Sequence, residues 1–157
     1  MRVREYMVSP AVTVSPETSA RQAALRMRQE AVGCLLVVVE GELRGIVTDR
    51  DLAVRCLAGE CSPQTPVSEL MTSSVVTLET ADDIATAYYA FRKSGVRRLP
   101  VLDGRGRVVG VLSVDDLFLD VFQRLSDLLG PVAWSVLHEP PEPPRPSAAL
   151  RPSARRR

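Results

Sequence analysis

Gly45-Ile46-Val47-Thr48-Asp49-Arg50-Asp51 has a counterpart further along the chain, Gly110-Val111-Leu112-Ser113-Val114-Asp115-Asp116. Each copy reads as the end of a buried β-strand running into a helix. An apolar pair, Ile46-Val47 or Val111-Leu112, is followed at once by a hydroxyl, with an acid three residues on. Thr48-x-x-Asp51 and Ser113-x-x-Asp116 are therefore near-matches to a capping box, with Asp replacing the usual Glu or Gln. The hydroxyl accepts from the orphan amides of the first helical turn. The same helix start offers free N–H groups and a positive dipole end, which suit a phosphate or ribose-phosphate. On these residues alone a cap and a ligand contact are equally good readings, and the two are compatible.

Working outward, the whole surrounding segment is duplicated. Val3-Arg4-Glu5-Tyr6-Met7 matches Val67-Ser68-Glu69-Leu70-Met71, Val12-Thr13-Val14 matches Val76-Thr77-Leu78, and Ala23 and Met27 match Ala87 and Phe91. One register holds through Leu36 and Pro100. The second copy then gains a residue in its turn, Asp103-Gly104-Arg105-Gly106 against Glu40-Gly41, and register resumes at Gly45 and Gly110. A unit of roughly 60 residues with so few strands closes no core by itself, so two must pack together.

The units, 1–64 and 65–129, each read β-α-β-β-α, an α/β (α+β) class. A short extended segment (12–14, 75–78) precedes a helix at about 18–29 or 82–93. Ala20, Ala23, Ala24 and Met27, and Ile84, Ala87, Tyr88 and Phe91, recur at helical spacing and mark a core stripe. A hairpin follows, 35–39 with 43–47 and 99–102 with 108–112, and a helix starts at Asp49 or Asp115. Residues 58–66, with Gly59, Pro63 and Pro66, form the joint. Gly130-Pro131 reads as the stop of the last helix, 130–138 with Trp134 as a short extra helix, and the Pro/Arg/Ser-rich 139–157 as a disordered tail. Leu117, Phe118, Val121, Phe122, Leu125, Leu128 and Leu129 give the last helix more apolar face than one small domain uses, which predicts a homodimer.

Composition narrows the function. At 157 residues the chain suffices for one compact domain, and its 45% hydrophobic and 25% charged residues are those of a soluble protein. No apolar run nears the roughly 18 residues of a membrane span, and the first residues lack a secretory apolar core, so the cytoplasm is the expected location. Net charge is +1. Five arginines against two glutamates in 139–157 make a basic tail, weak support for a polyanion partner, and nucleic acid is not expected. The one histidine, His138, stands at the edge of that tail. No nucleophile has a recognisable base, no acid pair has catalytic spacing, and Gly104-x-Gly106 is a hairpin turn, so catalysis is not expected. Cys34 reads as a small core residue, and Cys56-x4-Cys61 is neither a zinc nor a thioredoxin signature, so no metal or required cofactor is expected. Arg97-Arg98 reads as a solvated turn, as a partner for Asp103, or as a phosphate contact.

The two motifs, the Val-x-Glu-x-Met lead-ins at Val3 and Val67, and Gly95-Val96-Arg97-Arg98-Leu99-Pro100-Val101 resemble a tandem pair of CBS domains, a Bateman module, over about residues 1–129. The resemblance implies two pseudo-symmetric units packed through their sheets, with two clefts for adenosine-containing ligands: AMP, ADP, ATP, S-adenosylmethionine or NAD-type molecules. Carried over residue by residue, Asp116 and Ser113 serve one cleft and Asp51 and Thr48 the other. The acid takes the ribose hydroxyls and the hydroxyl residue takes ribose or phosphate. Arg97 and Arg98 fall where phosphate-contacting residues occur, while the first unit has Gly33-Cys34 there, a departure from the pattern. The segments before the helices, Val75, Val76 and Thr77 and also Val12 and Thr13, contact adenine. The favoured site is the Asp116 cleft, with 75–77 as adenine wall. The resemblance thus implies a non-catalytic regulatory module acting on a separate partner protein. The alternative is a ligand-free dimeric scaffold acting through its final helices and Arg-rich tail.

Overall fold

In the computed structural model, residues 1–138 are described. The expected tail lies outside them. Two three-stranded sheets repeat one topology. In the first, β1 (Thr13–Val14) runs parallel to β2 (Cys34–Val39), which pairs antiparallel with β3 (Glu42–Thr48). In the second, β4 (Leu78–Glu79), β5 (Arg98–Leu102) and β6 (Val108–Ser113) do the same. The crossover helices are α1 (Ala20–Glu30) and α4 (Ile84–Ser94). Ser19 caps α1 through a complete capping box with Gln22, and Asp83 caps α4.

The lead-ins are exchanged between the halves. Val3 sits in a 3-10 turn (Val3–Glu5) and is buried with Leu78, Ile84, Ala87, Leu99, Val101 and Leu112, all of the second half. Val67 and Leu70, on α3 (Val67–Leu70), are buried with Ala20, Ala23, Met27, Leu35, Val37 and Val47 of the first. The amide of Val3 bonds the Asp82 carbonyl at 2.9 Å, and the amide of Val67 bonds the equivalent Thr18 carbonyl at 2.8 Å. Val8 then forms an antiparallel bridge with Val111 and Thr72 one with Ile46, each through a reciprocal pair of amide bonds. Cys34, Leu36 and Ile46 form a further buried cluster, against which Ala11, Val75, Val108 and Val111 pack, so the halves meet through their sheets.

The motif glycines allow this crossing. A Cβ on Gly45 would stand 2.8 Å from the Thr72 carbonyl oxygen, and one on Gly110 would stand 2.8 Å from that of Val8. Met71 and Met7, the methionines that end the lead-ins, lie directly against these same glycines. Glycine and methionine of the repeat are thus one contact, made across the two halves.

After β3 the first half forms α2 (Asp49–Asp51), which widens into a π-helix (Leu52–Leu57), and Cys56 is disulfide-bonded to Cys61 with their Cα atoms 4.6 Å apart. The spacing of these cysteines did not indicate a pair; the chain turns back after the helix, where Glu60 is left-handed (φ 58°) and the Cys61 amide bonds the Cys56 carbonyl at 2.9 Å. The second half continues instead as α5 (Val114–His138), which passes through Gly130 and Pro131. The expected stop there, and a separate short helix at 130–138, are therefore corrected. Gly130 has no Cβ for the proline ring to strike, which removes part of the usual penalty. Tyr88, read as core, is 46% exposed, because so narrow a sheet covers only the Ile84–Ala87–Phe91 stripe of α4.

Two substitutions test this packing by chemical denaturation. Gly45→Ala is expected to cost about 1 to 3 kcal/mol, since backbone and not a flexible side chain must move. Ala31 ends α1 in the left-handed conformation (φ 53°) where the second half has Gly95 (φ 68°). Ala31→Gly is expected to raise stability by up to about 1 kcal/mol, strain relief outweighing chain entropy.

Candidate ligand clefts

Both helix starts carry the hydroxyl–acid pair as a closed local motif. Thr48 Oγ1 donates to Asp51 Oδ2 at 2.8 Å, the Thr48 amide donates to the same oxygen at 2.9 Å, and the Asp51 amide returns a bond to Thr48 Oγ1 at 3.1 Å. Ser113 and Asp116 repeat all three bonds. The capping geometry is present twice. What remains of each carboxylate differs. Asp51 Oδ1 faces Arg55 Nε at 3.4 Å, whereas among the described residues no donor reaches Asp116 Oδ1.

Each pair opens onto a cavity walled by the opposite half. Thr48 and Asp51 face a cavity of about 830 Å³ lined by Ser74, Val75 and Val76 and by Ser94 to Arg98. Ser113 and Asp116 face one of about 220 Å³ lined by Val8, Pro10 to Val12, and Ala31 to Cys34. The expected grouping of Val75–Thr77 with Asp116 is therefore corrected: Val75 and Val76 belong with Asp51, and Val12 with Asp116. Thr13 and Thr77 line neither cavity. The cause is the exchange of lead-ins. Because Thr72 pairs with Ile46, the chain leaving it crosses the mouth beside Thr48, and Val8 on Val111 does the same beside Ser113.

The basic pair splits. Arg97 is held by both oxygens of Asp115, at 2.8 and 3.1 Å. It does not meet Asp103, which instead binds Arg107 within its own hairpin. The backbone hydrogen bond from Arg107 is the largest of several that hold the Asp103 carboxyl below the ordinary range. Arg98 is placed differently. Its Nη2 lies 2.9 Å from where a Gly33 Cβ would be, with Asp49 Oδ2 3.1 Å from the same point. Gly33 and Cys34, the departures from the family pattern, are thus the floor under this guanidinium. Burial pushes the Cys34 thiol up in pKa, opposed by Arg98 and aided by Asp49. Arg98 lines both cavities. Sequence reasoning missed Asp49, Ser74, Ser94 and the 31–34 wall. Their only signal was alignment of Gly33-Cys34 with Arg97-Arg98, which marks a central position but not which half fills it.

Among the described residues no cluster of His, Cys, Asp or Glu has the makings of a metal site, and no helix is long and apolar enough to cross a membrane. A family model of the CBS domain matches residues 3–57 and 67–121. The CBS domain-containing protein YhcV of Bacillus subtilis (strain 168) is 33% identical over 137 residues, 87% of this chain and 96% of the relative. The CBS domain pair of MJ0100, solved in complex with 5'-methylthioadenosine and S-adenosyl-L-methionine, is 26% identical with a TM-score of 0.72, over 79% of this chain and 98% of that one. The cytosolic domain of the Mg2+ channel MgtE, solved in complex with ATP, is 30% identical with a TM-score of 0.66, over 76% of this chain and 48% of that one. The two tandem matches coincide with the two sheets and their exchanged lead-ins, and the chain belongs to the CBS-domain family as a tandem pair.

Proposed function

We propose that the chain is a non-catalytic regulatory module that binds an adenosine-containing ligand between its halves and thereby alters its contact with a partner protein. The carrying observation is the crossed construction of the clefts. An acid–hydroxyl pair from one half faces extended backbone from the other, so an occupant touches both. Such a ligand favours one packing of the halves over another, which a regulatory ligand requires. The relatives solved with S-adenosyl-L-methionine and with ATP support the ligand class.

Within this reading the Asp51 cleft takes the phosphate-bearing ligand, by virtue of its larger volume and its arginines. Asp51 accepts the ribose hydroxyls, Ser74 to Val76 flank the base, and Arg97 and Arg98 face the phosphate. The Asp116 cleft, with its uncommitted carboxylate oxygen, takes a ribose as well. A second copy of the chain covers α5, where Leu119, Leu125, Leu128 and Leu129 are half or more exposed.

Calorimetric titration with AMP, ATP, S-adenosylmethionine and NADH tests the ligand assignment. Saturable binding of at least one is expected, weakened about tenfold to a hundredfold by Asp51→Ala through loss of charge-assisted hydrogen bonds. No heat and no thermal stabilisation with any of the four, on folded protein, would sink it and favour the scaffold alternative. For α5, sedimentation of Leu125→Glu/Leu129→Glu is expected to give monomer from a wild-type dimer; a monomeric wild type would refute the self-association.

A further inference from the structure

Arg98 stands at the partition between the two clefts. Among the described residues it is the only cation lining the Asp116 cavity, and it also lines the Asp51 cavity, together with Arg50 and Arg97. Arg97 is already engaged by Asp115. Among the described residues no carboxylate lies within ion-pair distance of Arg98, although Asp49 converges with it above Gly33. Its side chain is half-buried, and its Nη2 lies over Gly33, 2.9 Å from where a Cβ would stand.

We propose that Arg98 is a phosphate ligand shared by both clefts, so that the pair holds one phosphate-bearing nucleotide at a time and leaves the second cleft to an uncharged adenosine compound. This rests on the nucleotide reading above and adds a rule of occupancy to it. A guanidinium binds a phosphate through a planar fork of donors, and one fork cannot serve two dianions in separate cavities. Once a phosphate in the Asp51 cleft draws Arg98 toward it, the Asp116 cleft keeps its carboxylate and loses its cation. A second phosphate would enter a site of like charge, whereas a nucleoside would still find the Asp116 oxygen for its ribose. The charge of Arg98 also acts on the Cys34 thiol, in keeping with its place at the wall of that cleft.

Equilibrium dialysis with AMP and with adenosine, on the wild type and on Arg98→Gln, tests the sharing. Arg98 makes no side-chain bond within the described residues, so the variant is expected to fold. The expected result is one AMP but two adenosines per wild-type chain. In Arg98→Gln, AMP affinity falls about tenfold or more while its stoichiometry stays at one, because the Asp116 cleft then holds a carboxylate and no cation and only the Asp51 cleft keeps arginines, and adenosine still binds twice. Two AMP per wild-type chain would overturn the sharing while leaving the nucleotide reading intact. So would a single adenosine per chain, or an AMP affinity unchanged in Arg98→Gln. Failure of both AMP and adenosine to bind the wild type would overturn the nucleotide reading and the sharing together.

Discussion

At two places backbone passes over backbone closer than a side chain would allow: Thr72 over Gly45, and Val8 over Gly110. Everything else in the molecule depends on this paired contact. It lets the lead-in of each half lie against the last strand of the other, where reciprocal amide bonds hold it. Those bonds deliver Val3 and Val67 into the opposite cores, so neither core is complete without the other half. A unit of this size is marginal by its own apolar area, and the exchange makes each core depend on a residue of the other half.

The clefts follow from the same crossing. A chain that leaves Thr72 or Val8 after pairing must run past the helix start that follows the partner strand. The wall of each cavity is thereby supplied in trans. Thr48–Asp51 and Ser113–Asp116 are rigid because each closes its own hydrogen-bonded ring. An occupant of either cavity would touch both halves, which is what ties the proposed ligand binding to their packing.

Most of the fold was legible because its signals are local or repeated. Helical stripes, hairpin turns and the hydroxyl–acid boxes are set by neighbours in sequence, and the duplication supplied the topology twice. The lead-in motif was legible as a repeat but not as an exchange, since Val-x-Glu-x-Met says that Val3 is buried and not in which core. That ambiguity sent Val75 and Val76 to the wrong acid. Arg97 went to Asp115 and not to Asp103 for a related reason: the hairpin's own Arg107 occupies Asp103 from four residues away. Pro131 misled in the other direction, because the rule that proline ends a helix weakens after glycine.

Hydrogen exchange on Val3→Ala tests the exchanged construction most directly. The largest loss of amide protection is expected in β5 and β6, around Leu99, Val101 and Leu112, although these residues are distant in sequence. Loss concentrated in β2 and β3, with β5 and β6 unchanged, would contradict it, because the lead-in would then serve the half from which it springs.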